Sequence, residues 1–458
     1  MWLVEAAGLR LLFDPLLGPE HHCGVFETVP RRRIDAAALR PDFVLVSHRH
    51  PDHFDVPSLH RLAQLDPDAV VATPDALVAW AARTLGFRTV YELPPAQHVV
   101  LDGVRLVTTP SLAPDEWGMM IAADGAVGWN QVDSVLRNPA HVREVKDVAL
   151  QGLEHDRVEL AIVRWQPMLE IAAVLGRRTA FPYQAYGQLL AQAAAIDATA
   201  IVPGANGAAH VETFGWMDRF VFPVGEPRFL RDMAQAAPDT RALPLQVGGR
   251  FLVEPQRVQL DPTGARSLVE LSSEPLVDPR RYHPLAIPEP SDPNPGGHDP
   301  RITRPRVHAW IREQLASGLA AAWPGMGSPR SLRFGLELVF PEHRDAFTLH
   351  VGPEGTRVVE GLDDDWDLLN AVVGSLMWEV IEGRRHWGDV LLAGGLRAVT
   401  RAYAVDEHGL RPADVGETFV YYGLSYDESV ERAVRWEVHS LIDPMFEKKA
   451  SSHRPPQG

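Results

Sequence analysis

The chemistry-bearing residues of this chain crowd into one decapeptide, Val44-Leu45-Val46-Ser47-His48-Arg49-His50-Pro51-Asp52-His53. Its apolar start reads as a buried strand. At the strand's end, the side-chain period of two points His48 and His50 the same way. Pro51 then turns the chain, so Asp52 and His53 approach a second point a few ångströms from the first. Neutral imidazoles bind transition metals and a carboxylate balances their charge, so this spacing suits two metal ions sharing a bridging hydroxide. A surface histidine cluster is the plain alternative. The apolar strand before the motif and the helix pattern after it argue against that.

Around the motif, short apolar runs alternate with helical periodicity from residue 1 to about 261. Strands are expected at Leu9–Phe13, Phe43–Val46, Val70–Ala72, Val104–Thr108, Met119–Ala122, Leu160–Val163, Ala200–Val202 and Phe251–Val253, and helices at Pro57–Leu65, Pro74–Thr84 and Tyr183–Ile196. Sheets covered by helices, an α+β arrangement, follow from that order. Nine prolines fall between Glu274 and Pro305, which marks an extended connector over 262–305. A second α+β domain is expected over 306–450, with a helix at Val307–Ala321 and strands at Ser331–Phe340, Ala346–Val351 and Thr356–Val359. A further helix is expected from Asp363 to Glu382, its three leading aspartates favoured by the helix dipole. The last residues, 451–458, read as a disordered tail.

The pattern His48-x-His50-x-Asp52-His53 after an apolar strand resembles the signature of the metallo-β-lactamase superfamily, and Leu12-Phe13-Asp14-Pro15 is similar to that family's early hairpin. The resemblance covers roughly residues 1–261. It implies an αββα sandwich of two sheets with outer helices, carrying a dinuclear metal site at one edge. It also implies a carboxylate bridging both metals, for which Asp133 in Gly128-Trp129-Asn130-Gln131-Val132-Asp133-Ser134 is the candidate; a turn or helix-cap aspartate is the alternative. The family's third histidine on the first metal has no counterpart here. Glu116, or Asp115 beside it, stands in the corresponding loop. The family's last histidine is also displaced, since Ala205 and Asn206 hold its position and His210 lies a few residues on.

Exchanging imidazole for carboxylate hardens the site and moves preference from zinc towards iron or manganese. The layout is also similar to the lactamase-fold portion of the sialic acid nucleotide hydroxylases, through Val46-Ser47-His48 onward, Asn130-Gln131-Val132-Asp133-Ser134 and Val202-Pro203-Gly204-Ala205. Those enzymes carry a Rieske iron–sulfur module, which needs two cysteines. With Cys23 alone, this chain cannot hold one, and an electron donor would be a separate protein. In the second half, Ser375-Leu376-Met377-Trp378-Glu379-Val380-Ile381-Glu382-Gly383 and Leu391-Leu392-Ala393-Gly394-Gly395-Leu396 weakly resemble a sterol-carrier-like domain, which implies an apolar tunnel or a dimerisation module.

Three readings follow. The leading one is a dinuclear-metal hydrolase of an ester, thioester or amide of a hydrophobic small molecule, with Asp52 positioning the attacking hydroxide. An oxygen-dependent diiron hydroxylase is the second, and a metal-binding protein without turnover the third. His48, His50, Asp52, His53, Glu116, Asp133 and His210 are the expected ligands of two divalent ions, iron or zinc, with manganese a third choice. Other features have blander expectations: His21 and His22 as pocket wall or surface, with metal binding the sharper alternative, Arg31-Arg32-Arg33 as a solvated basic turn that could otherwise fix a phosphate or carboxylate, and Trp165, Phe181 and Tyr183 as either core packing or the lining of a substrate pocket.

Composition bounds these readings. The 458 residues exceed one core, and 45% are hydrophobic. The net charge of −16 argues against a nucleic-acid-binding surface. The N-terminal residues read as a hairpin and not as an export signal, and no apolar run reaches the length of a membrane span, so a cytoplasmic protein is expected, with homodimerisation through the second domain.

Overall fold

The computed structural model describes residues 1–204, 207–272, 282–326, 330–407, 409–412, 416–443 and 446; the expected tail 451–458 and part of the connector lie outside them. Two large sheets dominate the first half, beside smaller two- and three-stranded ones. One has five strands in the spatial order Trp2–Ala6, Leu9–Phe13, Phe43–Leu45, Val70–Thr73 and Thr89–Glu92. Its first two strands make an antiparallel hairpin and the rest run parallel. The other has seven strands, Arg241–Ala242, Ala200–Pro203, Leu160–Val163, Ala126–Asn130, Trp117–Ala123, Val104–Pro110 and His98–Leu101.

Strand alternation builds the layers. Leu11, Phe13, Leu45 and Ala72 face Leu106, Trp117, Met119 and Ile121 in a core between the two sheets. Their sequence neighbours Leu12, Val44 and Val71 face outward onto the helices Val56–Leu65 and Ala76–Leu85. Val107, Met120 and Ala122 face the opposite outer layer, which includes Pro139–Leu153, Tyr183–Ala194 and Glu226–Ala236. Strands buried on both faces explain why their sequences are near-continuous apolar runs.

The second half centres on a five-stranded sheet ordered Gly355–Glu360, Arg344–Gly352, Leu332–Val339, Leu368–Val373 and Leu396–Thr400. The preceding helix starts at Pro300, earlier than expected, because Asp299 caps it by accepting from the Arg301 amide at 2.9 Å. The helix expected over Asp363–Glu382 is corrected. Leu368–Val373 is a strand parallel to Leu332–Val339, and the helix begins only at Gly374. The aspartates that look like a helix start instead meet Arg333, with Asp365 at 3.0 Å and Asp363 at 3.4 Å.

The halves share cores. Val430, Val434 and Val438, on the helix Tyr426–Ile442, pack with Leu59, Leu62 and Val78. Val25, Phe26, Phe214 and Met217 join the core of the second sheet. Among the described residues, no helix is long and apolar enough to cross a membrane.

Candidate metal centre

The motif leaves the Phe43–Leu45 strand at the edge where the neighbouring Leu9–Phe13 strand also ends. Asp14 there has a left-handed backbone (φ 44°), and its amide donates to the Leu45 carbonyl at 2.9 Å. One Asp14 oxygen accepts from the Ser47 amide at 2.8 Å. The other accepts from the Ser47 hydroxyl at 3.1 Å and lies 3.0 Å from His53 Nδ1. The Ser47 hydroxyl also lies 3.0 Å from His48 Nδ1. One buried carboxylate thus orients two imidazoles and leaves both Nε2 atoms for a metal, as outer-sphere carboxylates do. The loop turns through amide bonds from His53 and Phe54 to the His50 carbonyl, at 2.9 and 2.8 Å, and is pinned by the buried Phe54 and Val56. The helix that follows is capped by Asp55, which accepts from the Ser58 amide.

Asp133 arrives from the other sheet, just beyond Ala126–Asn130. The residue before it, Val132, has φ 52°, a rare conformation for a β-branched side chain. Asn130 Oδ1 accepts from the Val132 amide and helps hold that turn. Backbone outliers of this kind concentrate at functional sites.

Two groups of metal-capable atoms result, His48, His50 and Asp133, and Asp52, His53 and Asp133, with the atoms of each group lying within 4.8 Å of one another. Asp133 belongs to both. His48 Nε2 and His50 Nδ1 are 2.8 Å apart, and His53 Nε2 is 3.2 Å from Asp52 and 3.3 Å from Asp133. Burial, reinforced by the charges of His53 and His50, depresses the His48 pKa to about 3, so its lone pairs stay free. His53 is also buried, which disfavours its cation, but Asp52, Asp133 and Asp14 together outweigh this and hold it well above the usual range. Burial likewise opposes ionisation of Asp52 and Asp133, yet His53 keeps both below the ordinary carboxylate range.

Two buried atoms test whether metals fit. His53 Nε2 and Glu116 Oε1 have no hydrogen-bond partner among the described residues. Burial and then, after a Ser111 hydrogen bond that lowers it, the charge of Asp133 raise the Glu116 pKa, while His50 and His53 lower it; the carboxylate therefore sits within electrostatic reach of the cluster. Asp115, the other candidate, is exposed and lies 3.7 Å from Arg49. The donor set of imidazoles and carboxylates, whose ligand atoms converge on one another, fits two divalent ions.

His210 does not join this group and is corrected. Its Nδ1 is 2.7 Å from Asp218 and its Nε2 is 3.0 Å from the Leu392 carbonyl, so both ring nitrogens are occupied. His22 comes nearer, with Nε2 3.9 Å from Asp52. Asp14 and Ser47 carry orienting roles that the motif alone does not announce. From the second half, His386 and Asp389 reach the same neighbourhood: the charge of Asp389 is felt at His22, and that of His386 responds to His50.

No family model matches the chain. It is 35% identical over 95 residues, 20% of its own length, to a Mycolicibacterium smegmatis protein described as a Rieske 2Fe-2S iron–sulfur protein, and the match spans only 18% of that relative. Among solved structures it is similar to CmlA, a diiron β-hydroxylase from Streptomyces venezuelae, with 15% identity, a TM-score of 0.35 and coverage of 53% of this chain and 51% of that one. It is also similar to the metallo-β-lactamase fold protein YhfI from Bacillus subtilis, with 12% identity, a TM-score of 0.32 and coverage of 46% and 76%. The structural neighbours thus include a diiron β-hydroxylase and a metallo-β-lactamase-fold protein, each similar over about half of this chain.

Proposed function

We propose that the chain is a metallo-β-lactamase-fold enzyme of residues 1–261 that holds two metal ions, iron by preference, and hydroxylates a small molecule with dioxygen. The observation that carries this reading is the donor set. Asp133 is shared between the His48/His50 and the Asp52/His53 groups, and Glu116, outside both, has a buried oxygen without a hydrogen-bond partner among the described residues and feels the charges of Asp133, His50 and His53. His48, His50 and Glu116 make a two-histidine, one-carboxylate set, the ligand combination of non-haem iron oxygenases. With His210 engaged elsewhere, carboxylates equal imidazoles in number, which puts oxygen chemistry ahead of the zinc hydrolysis that the motif first suggests.

Iron, when bound, supplies the capacity to bind and reduce dioxygen. Asp133 would hold the two ions together, while Asp14 fixes the His53 ring and, through Ser47, the His48 ring. Insertion of one oxygen atom into a C–H bond and reduction of the other to water consumes two electrons and two protons. The electrons would come from a redox group outside the residues of this chain, because one cysteine cannot ligate an iron–sulfur cluster here. The α+β unit of 306–450 contributes His386, Asp389 and Tyr426 to the same side, and a sterol-carrier-like or dimerising role for it is part of the proposal.

Hydrolysis of an ester, thioester or amide is the second reading. It is favoured by Asp52, whose side chain is 40% exposed at the edge of the centre, where a carboxylate could orient an attacking water. Metal analysis after growth with iron or zinc, followed by oxygen uptake with a chemical reductant and a screen of acyl esters and thioesters, separates the readings. Two irons with substrate-dependent oxygen uptake are expected. Tightly held zinc with ester or thioester turnover would replace this reading by hydrolysis, and two metals with neither activity would leave a metal-binding protein.

A further inference from the structure

The three consecutive arginines before Ile34 do not behave alike. Arg31 is paired with Glu27 at 2.7 Å and Arg33 with Glu270 at 2.7 Å, both at the surface. On the short strand Arg32–Ile34, alternation puts Arg32 on the face of Ile34, which is buried in the apolar core. Arg32 Nη1 is buried without a hydrogen-bond partner among the described residues. Gly207 closes one side, where a Cβ would lie 3.6 Å from Nη1 and 3.8 Å from Nη2.

His21 shares this neighbourhood. It is 5% exposed and stacks on Phe26, and its Nδ1 is 2.6 Å from His22 Nδ1. Its Nε2 is buried and unpartnered. The charges of Asp52, Arg32 and His53 are all felt at His21, so the ring lies within electrostatic reach of both the arginine and the metal centre. The tautomer of the His21–His22 pair sets whether His21 Nε2 offers a hydrogen or a lone pair there. A buried cation is retained only where something compensates for its lost hydration, and the guanidinium fork matches a carboxylate or phosphate.

We propose that Arg32 forms the receiving site for an oxyanion, a carboxylate or phosphate, on the small molecule that the metal centre acts upon. Calling that molecule the substrate rests on the two-metal reading; binding of the anion does not.

The test measures thermal stability and calorimetric binding with inorganic phosphate and with propionate against neutral propionamide, at constant ionic strength, in metal-loaded and chelator-treated protein. Phosphate or propionate should stabilise the wild type in both states, and propionamide should not. A response to phosphate alone or to propionate alone identifies which oxyanion the site takes. Arg32→Gln should weaken anion binding at least about tenfold, as expected for a lost charge-assisted hydrogen bond, whereas Arg33→Gln should leave it unchanged. Without anion, Arg32→Gln should be as stable as the wild type or more so. Unchanged anion binding in Arg32→Gln, no oxyanion response in the wild type, or an unliganded Arg32→Gln less stable than the wild type would each overturn the proposal. Wild type that holds no metal yet binds the anion through Arg32 would sink the two-metal reading and leave the anion site standing.

Discussion

Asp14→Asn isolates the orienting role from the ligands. Asparagine matches aspartate in volume, tolerates the left-handed backbone at φ 44°, and can still accept from the Ser47 amide, which lies 2.8 Å from Oδ1. What changes is the other oxygen, 3.0 Å from His53 Nδ1 and 3.1 Å from the Ser47 hydroxyl. An NH2 in that place confronts the His53 N–H, so the ring is released to its other tautomer, with a hydrogen on the Nε2 that faces Asp52 and Asp133. Removing an outer-sphere carboxylate typically costs about 10–100-fold in metal affinity, equivalent to about 1.4–2.7 kcal/mol. A hydrogen bond to a charged group is worth about 1.5–3 kcal/mol, the same size. Asp14 touches His53 directly but His48 only through Ser47, so the Asp52/His53 ion should weaken most. Stepwise affinities from competition with a chromophoric chelator would measure this, with metal content and circular dichroism recorded alongside. Two unchanged affinities in a folded variant, or a loss confined to the His48/His50 ion, would refute the reasoning.

Other expectations follow from the same geometry. Asp133→Ala should empty both positions because its carboxylate serves each group, whereas His53→Ala should remove one ion, and equal stoichiometries in the two variants would contradict the shared role. Glu116→His should raise the zinc-to-iron ratio of protein grown in mixed-metal medium, and an unchanged ratio would detach Glu116 from the centre. Burial, and then the charges of Asp55 and Asp389, push the Glu437 pKa from 4.5 up to about 8. Folded Glu437 therefore keeps its proton where the unfolded chain ionises, so its contribution is full below pH 4.5 and is lost as pH rises through about 8. Relative to wild type, Glu437→Gln should gain roughly 1–3 kcal/mol across that window, less than the full shift because the side chain keeps some solvent contact. Urea denaturation of both proteins at the two ends of the window would read it, and parallel pH profiles would count against it.

The local parts of the centre are legible in sequence because their information is local. His48, His50, Asp52 and His53 lie within six residues, and the strand and turn that aim them are written in Val44, Leu45, Val46 and Pro51. Asp14 is harder to read, since it stands 33 residues from Ser47 and 39 from His53, and only pairing of the strands that carry them joins the three. His210 looks free in sequence because its partner is Asp218, on a helical turn folded back beside it, together with a carbonyl 182 residues away. Leu368–Val373 reads as helix behind three aspartates, but parallel pairing with Leu332–Val339 outweighs local propensity, and Arg333 takes the charges. Arg32 reads as one of three solvated arginines until the strand's alternation singles it out.

Four buried polar atoms in this neighbourhood have no hydrogen-bond partner among the described residues: Glu116 Oε1, His21 Nε2, Arg32 Nη1 and His53 Nε2, the last facing Asp52 and Asp133 at 3.2 and 3.3 Å. The second half reaches the same neighbourhood, with Arg385 donating to the Cys23 carbonyl at 3.0 Å, while His22 lies 3.9 Å from Asp52. A buried polar atom left without a partner costs roughly 1–3 kcal/mol, so an occupant that partners these atoms recovers part of that cost on binding. The two proposed sites differ in sign, with carboxylates and imidazoles around Asp133 and a guanidinium at Arg32. If a metal cation occupies the first and an oxyanion the second, their opposite charges make each favour the other. By thermodynamic reciprocity, whatever factor the anion adds to metal affinity, the metal must then add to anion affinity.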